Sequence, residues 1–246
     1  METALLIAAA VTGTGLLALG ASYAFWRYVW FWRNPPRTIP RGEHFLSPAD
    51  GTVVYVKRAP PGEPIIVCKQ GKPASINDIA REDLAQPKIL IGIFMSPLGV
   101  HHNRAPISAV VAAKKQYAAE GRNVAMGSMH WRSVLRRLPI YAHSPHITQN
   151  NRSVTRFCGA YRGAEISCYV VQIGGASVHG IDVYPDVGQR VEQGQVFGMI
   201  RIGSQVDLIL PDLAGLEVQV APGDRVRAGE TVLARNRGST GKSTAQ

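Results

Sequence analysis

One stretch of the chain combines residue types that could do covalent chemistry on the backbone itself: Phe197-Gly-Met-Ile-Arg-Ile-Gly203-Ser204-Gln-Val-Asp207. An apolar strand runs into a Gly-Ser step and continues as Val206, Leu208 and Leu210. Gly203 can take backbone conformations closed to other residues, and the Ser204 hydroxyl stands next to the Gly203 carbonyl. Attack of that Oγ on the carbonyl carbon moves the acyl group from nitrogen to oxygen. Elimination of the ester leaves dehydroalanine, which hydrolyses to a pyruvoyl group and ammonia. A Gly-Ser step alone marks an ordinary bulge or turn far more often than a cleavage site. Its weight comes from the company it keeps.

Four further segments carry groups of the right kind. In Ser47-Pro-Ala-Asp50-Gly51 an acid precedes a strand at a glycine turn, and taken alone Asp50 reads as a turn cap. In Phe94-Met-Ser96-Pro97-Leu-Gly-Val-His101-His102-Asn103-Arg104-Ala-Pro106, two histidines follow an apolar strand and a turn. Strand alternation puts His101 and Asn103 on one face and His102 on the other, and the ends of strands are where sites are built. Gln149-Asn150-Asn151-Arg152 is a polar cluster before a strand, and by itself it reads as a turn. Gly175-Ala-Ser-Val-His179-Gly-Ile-Asp182 offers a histidine and an acid, but a metal site built with His101 lacks His-x-His or His-Glu-x-x-His spacing. No bound metal is expected. Gly238-Ser-Thr-Gly-Lys242-Ser243 imitates a phosphate loop without the strand before it or the helix after it. Ser239 repeats the Gly-Ser step with too little chain behind it to stay bound.

The scaffold for these groups begins with a membrane segment. Ala4 to Trp26 holds no charged residue and is long enough to cross a bilayer as a helix. Trp26, Tyr28, Trp30 and Trp32, interleaved with Arg27 and Arg33, suit the headgroup level. A cleaved signal peptide would carry basic residues before the apolar run, where only Glu2 stands, so residues 1–33 are read as a permanent anchor. Arg27, Arg33, Arg37 and Arg41 follow the run, which puts the remaining chain on the cytoplasmic side. Pro35, Pro36 and Pro40 make residues 34–41 a stiff linker.

Beyond the linker the pattern is β. Residues 51–57, 64–68, 88–95, 109–117, 165–173 and 177–184 read as strands, and 75–84 as one short helix capped by Ser75 or Asn77. Gly188-Gln-Arg-Val-Glu-Gln-Gly194 matches Gly223-Asp-Arg-Val-Arg-Ala-Gly229, and each describes a tight corner of the sort that recurs in barrel sandwiches. The expected fold class is mainly β: a barrel-sandwich-like β domain over residues 42–235 behind one N-terminal transmembrane helix, with a disordered tail at 236–246. Residues 120–146 are the least legible, since Arg132-Ser-Val-Leu-Arg-Arg-Leu138 fits an amphipathic turn touching lipid as well as a solvated basic loop.

A formal net charge of +10 suits a partner carrying phosphate. Few aromatics are interleaved with the basic residues beyond the N-terminal segment, which favours an anionic lipid surface over nucleic acid. Cys68, Cys158 and Cys168 form no Cys-x-x-Cys pair, so neither a zinc knuckle nor a disulfide framework is indicated. Cys158 and Cys168 read as packed thiols.

Taken in order, Phe31-Trp-Arg-Asn-Pro-Pro36, Ser47-Pro-Ala-Asp-Gly51, Ser96 to Pro106 and Phe197 to Ser204 resemble the short prokaryotic type of phosphatidylserine decarboxylase. The resemblance covers most of the chain. It implies self-cleavage at Gly203-Ser204 into a β chain of residues 1–203 and an α chain of residues 204–246, held together as a heterodimer. Ser204 then supplies a covalent pyruvoyl cofactor. It also implies that this ketone forms a Schiff base with the amine of phosphatidylserine and takes up the electrons left by carbon dioxide, giving phosphatidylethanolamine. His101 matches the family histidine of the decarboxylation step, as proton donor, and Asp50 matches the acid associated with serine activation. Asn103, Arg104 and Arg152 are expected at the substrate.

The chain departs from the family pattern at named positions. Longer members carry a second histidine three residues after the first as base for the serine, but here Arg104 stands there and cannot deprotonate. The base stays open, with His101 serving both steps or His102 substituting. Gly-Ser-Gln replaces Gly-Ser-Thr, and Gln149-Asn-Asn-Arg152 replaces Glu-Asn-Glu-Arg. Two other readings stand beside the enzyme. One is a lipid-binding relative that no longer cleaves, kept open by Arg104. The other is a membrane-tethered barrel-sandwich adaptor or carrier, against which Glu192-Gln193 and Arg227-Ala228 occupy the corners where a carrier needs lysine. The expected setting is a bacterial-type plasma membrane, with an anionic phospholipid as partner, no nucleic acid, and a homo-oligomer left open.

Overall fold

The computed structural model describes residues 1–60, 62–64, 66–67, 73–81, 84–141, 145–176, 180–201 and 203–237. The chain divides into two compact units, Met1–Pro35 and Pro36–Gln246, and the division falls inside the proline-rich stretch.

In the first unit, α1 (Glu2–Phe25) continues into a π-helical turn, Trp26–Trp30. The helix is apolar on every side and buries none of its residues within the protein. Glu2–Trp30 is long and apolar enough to cross a membrane. At its end the Arg33 guanidinium donates to the Trp30 carbonyl at 2.8 Å and lies 4.1 Å from the Trp30 ring centroid, a cation–π contact.

The second unit is mostly β. In chain order it holds β1 (His44–Leu46), β2 (Gly51–Ala59), β3 (Ile66–Val67), β4 (Pro73–Ala74), α2 (Ile76–Ala80), β5 (Lys88–Met95), β6 (His102–Arg104) and β7 (Ala109–Tyr117). There follow α3 (Gly127–Val134), α4 (His146–Gln149), β8 (Arg152–Tyr161), β9 (Ala164–Gly174), β10 (Ile181–Val183) and β11 (Arg190–Val191). The chain closes with β12 (Val196–Ile200), β13 (Ser204–Pro211), β14 (Leu216–Val218), β15 (Arg225–Val226) and β16 (Val232–Asn236).

Eight strands form one curled antiparallel sheet in the order β11-β7-β8-β9-β13-β5-β2-β15. Two three-stranded sheets, β1-β16-β14 and β10-β12-β6, accompany it. Alternation along β13 separates two cores. Val206, Leu208 and Leu210 enter one core with Ile91, Ile93 and Phe197, while Ile209 enters the other with Tyr55, Leu90 and Met129. Buried on both faces, β13 reads as a near-continuous apolar run rather than an alternating one.

Three details differ from the strand-by-strand expectation. The helix expected over 75–84 is α2 alone. Ser75 and Asp78 close a capping box at its start, and Arg81 ends it at φ 55. Of the strand expected over 64–68, Ile66–Val67 is described and Cys68 lies outside the described residues. Of that expected over 177–184, Ile181–Val183 is strand and 177–179 lie outside. Residues 238–246, with the second Gly-Ser step and most of the expected tail, also lie outside. The matched glycine segments do fold alike. The Gln195 and Glu230 amides donate back to the Glu192 and Arg227 carbonyls, and Val191 and Val226 are buried.

Candidate active site

The Gly-Ser step is where the chain changes sheets. β12 pairs with β6 and β10, whereas β13 enters the middle of the large sheet between β5 and β9. The turn between them needs Gly203, whose φ of +57 lies in the left-handed region. A Cβ there would meet nothing within 4 Å, so the backbone angle and not space selects glycine.

The Gly203 carbonyl accepts the Gly175 N–H at 2.9 Å. Gly175 must itself be glycine for another reason: a Cβ would fall 2.4 Å from that same oxygen. On the far side of the peptide bond, Ser204 is fully buried between Met95 and Gly174, and its Oγ donates to Met95 Sδ at 3.3 Å. A buried hydroxyl and a carbonyl polarised by a fixed N–H thus stand on the two sides of one peptide bond.

The topology carries the other expected residues to the same end of the sheet. Ser204 faces Met95, the last residue of β5, and Thr52 on the opposite flank of β5 faces Phe94. Asp50 just precedes β2, and His101 follows β5 after a short turn. His101 is fully buried, with Nδ1 3.1 Å from the Gly99 carbonyl oxygen. That acceptor assigns the proton to Nδ1 and leaves Nε2 as the basic nitrogen. Its own carbonyl accepts the Ile200 N–H at 3.3 Å, close before the Gly-Ser step. Asn103 is also buried. Its Nδ2 lies 3.8 Å from Met95 Sδ and its Oδ1 accepts from Gln172 at 2.8 Å, so Asn103 and Ser204 converge on one sulfur.

Asp50 and Arg104 belong to a charged cluster beside this centre. Asp50 Oδ2 accepts from Arg37 at 2.9 Å and Oδ1 from the Ala228 N–H at 2.7 Å, while Arg37 also faces Glu230. Arg104 donates to the Gly194 carbonyl at 2.8 Å. Burial and the nearby Arg37 lower its pKa, opposed by Asp50 and Glu230. Arg152 stands at the same end of the sheet, opposite Ile173, which in turn faces Gln205. It is buried on β8, donates to the Ile79 carbonyl at 2.7 Å and so ties α2 to the sheet, and burial lowers its pKa to about 10. His179 lies outside the described residues, and Asp182 forms a two-pronged pair with Arg201 at 2.9 Å.

Sequence reasoning missed the polar network on the other face of β13. Asp207 accepts from Tyr55 at 2.8 Å and from the Gln205 side chain at 2.7 Å, and Gln205 Oε1 lies 3.0 Å from His146 Nε2. All four side chains sit in residues at or near full burial. The signal was an acid inside the apolar run Val206-Asp207-Leu208-Ile209-Leu210, where a charge must find partners.

Burial raises the Asp207 pKa to about 7, against its hydrogen bonds and Arg152, and burial lowers His146 to about 4. A carboxyl that holds its proton more tightly when folded favours folding at low pH, and that contribution is lost as pH rises from its unfolded value through about 7. His146 acts in the opposite sense and lower, costing stability as pH falls from 6.5 towards about 4. Thermal unfolding in detergent is therefore expected to show wild type losing stability between pH 6.5 and 8. Asp207→Asn should lack that part of the slope, whatever its absolute Tm. Equal slopes in both proteins would refute the assignment.

A sequence model of the family described as phosphatidylserine decarboxylase matches residues 25–234. The chain is 30% identical over 236 residues to the phosphatidylserine decarboxylase proenzyme of Aromatoleum aromaticum, covering 94% of this chain and 90% of that protein. Against the phosphatidylserine decarboxylase proenzyme of Thermobifida fusca the identity is 34% over 221 residues, covering 90% and 76%. Against a putative archaetidylserine decarboxylase proenzyme of Methanopyrus kandleri it is 35% over 207 residues, covering 83% and 80%.

Proposed function

This chain belongs to the phosphatidylserine decarboxylase family, and we propose that it is a membrane-anchored proenzyme that cuts itself at Gly203-Ser204 and then decarboxylates phosphatidylserine. The observation that carries this reading is the Gly203 carbonyl held by the Gly175 N–H at 2.9 Å, with buried Ser204 next to it. Ser204 Oγ attacks the carbonyl carbon, the Gly175 amide takes up the charge growing on the oxygen, and the C–N bond breaks to leave an ester. Removal of the Ser204 Cα proton expels the Gly203 carboxylate, and water releases the nitrogen as ammonia. The α chain begins as β13, so strand pairing to β5 and β9 keeps residues 204–246 bound after the cut.

The surroundings suit a pyruvoyl group. A cavity of about 180 Å³, mostly apolar, opens beside Gly203 and is lined by Phe94, Pro97, Met126, His130 and Ala176 among others. The pyruvoyl ketone supplies an electrophile for the headgroup amine and a sink for the electrons that carbon dioxide leaves behind. His101 gives the proton that replaces the carboxylate: the Gly99 carbonyl holds Nδ1–H, so Nε2 is the nitrogen that gains and releases it. Asn103, hydrogen-bonded to Gln172, keeps the buried floor beside Ser204 rigid. Asp50, whose oxygens serve Arg37 and the Ala228 amide, acts by fixing the strand end next to β5. Arg104 braces the same corner through Gly194, and Arg152 holds the flank of the fold under α2. The enzyme works at the cytoplasmic face of a bacterial-type plasma membrane, since arginines follow the apolar helix.

Intact mass of the purified chain tests this. Two copurifying polypeptides of about 22 and 5 kDa are expected by residue share, the smaller with a blocked N terminus that reacts with a hydrazide. One uncut chain of 26.6 kDa without carbonyl reactivity would overturn the reading.

A further inference from the structure

α3 and the turn after it hold large apolar side chains in solvent. Trp131 is 65% exposed and Leu138 60%, and Val134 and Leu135 are also more than half exposed. Arg132, Arg136 and Arg137 are interleaved with them, and no Asp or Glu occurs between Glu120 and Glu165. The segment is held in place. Met129 and Ile140 are buried, Ser133 Oγ donates to Thr52 Oγ1 at 2.9 Å, and Arg132 donates to the Pro139 carbonyl at 3.1 Å. Exposed apolar groups on a fixed element cost free energy unless something covers them. Cations without acids among them specify an anionic cover.

The inner side of the same element reaches the reactive bond. Met126, Gly127 and His130 line the cavity beside Gly203, and the His130 ring lies 6.4 Å from that of Phe94. We infer that residues 127–138 dock in the interface of an anionic phospholipid bilayer, with Trp131, Val134, Leu135 and Leu138 among the acyl carbons and the three arginines at the phosphates. Docked in this way, the segment sets the mouth of the Gly203 cavity against the lipid surface. A serine phospholipid then needs to rise only partly out of the bilayer to bring its headgroup to the cavity. The link to turnover rests on the decarboxylase reading, but the docking does not.

The test uses the full chain in proteoliposomes, with amide hydrogen exchange read over 126–141. One set of vesicles is phosphatidylcholine alone, and the other is mixed with phosphatidylglycerol. Exchange in this segment is expected to slow by roughly tenfold or more on the anionic vesicles. The Arg132→Gln, Arg136→Gln, Arg137→Gln triple variant should lose that difference while exchange along β13 stays as in wild type. Equal exchange on both vesicles in wild type would overturn the inference, as would an undiminished difference in the triple variant. Intact mass of the same samples reports self-cleavage separately, so an uncut wild type would refute the proenzyme reading and leave the docking result standing.

Discussion

Ser204→Ala is expected to leave one uncut chain of 26.6 kDa, unreactive towards hydrazides and unable to form phosphatidylethanolamine. On the proposed mechanism the substitution removes the one oxygen that attacks the Gly203 carbonyl, and that oxygen belongs to a fully buried residue. On the proposed mechanism the effect on turnover is total, because Oγ makes the ester and leaves with the Gly203 carboxylate, and without that elimination the Ser204 Cα cannot become the ketone carbon. The fold should survive. Ser204 loses only its contact with Met95 Sδ, while the backbone pairing of β13 to Met95 and Gly174 needs no side chain. Amide exchange across β13 similar to that of wild type verifies this. Two fragments from the alanine variant would show that cleavage lies elsewhere and would sink the assignment of Ser204.

Gly175→Ala is expected to block maturation with Ser204 untouched. The new Cβ would sit 2.4 Å from the Gly203 oxygen, far inside van der Waals contact, and that oxygen is backbone, which cannot swing aside as a side chain does. The carbonyl must move off the Gly175 N–H and lose the polarisation that this bond supplies. Loss of one such donor costs about 10² to 10³ in rate in enzymes that use them, and cleavage should slow by at least that range. A time course of intact mass after synthesis reads the rate directly. Cleavage at the wild-type rate would show that the Gly175 amide takes no part. Ser204→Ala and Gly175→Ala together separate the attacking atom from the carbonyl it attacks.

The legible part of this protein lay in patterns of local origin. The charge-free run from Ala4 to Trp26 announced a helix long and apolar enough to span a bilayer, because a helix satisfies its own backbone hydrogen bonds. Apolar runs bounded by turn residues located β5, β7 and most of β9. The repeated glycine corners declared themselves because their turn chemistry is written within a few residues.

Other features were invisible for physical reasons. Gly175 looked like one more glycine before a histidine, and its bond to the Gly203 oxygen exists only because β9 lies beside β13. The sequence could not show that the packing of α2 on β8 gives the Arg152 guanidinium the carbonyls of Asp78 and Ile79. Asp50 reads in the sequence as a turn acid, and only the fold brings Arg37 and the Ala228 amide to its oxygens.

By itself, then, the sequence determined what is local: a long apolar helix, a β-rich domain, and a serine placed next to the carbonyl of a glycine. Covalent order alone guarantees that last adjacency. Tertiary structure decided everything that depends on strand partners. It made the Gly-Ser step a passage from the small sheet to the centre of the large one, and it put a backbone amide on the Gly203 carbonyl. It also buried Asp207 with Tyr55, Gln205 and His146. Pairing across a sheet joins residues far apart in the chain, and no single strand carries the register that its neighbours impose.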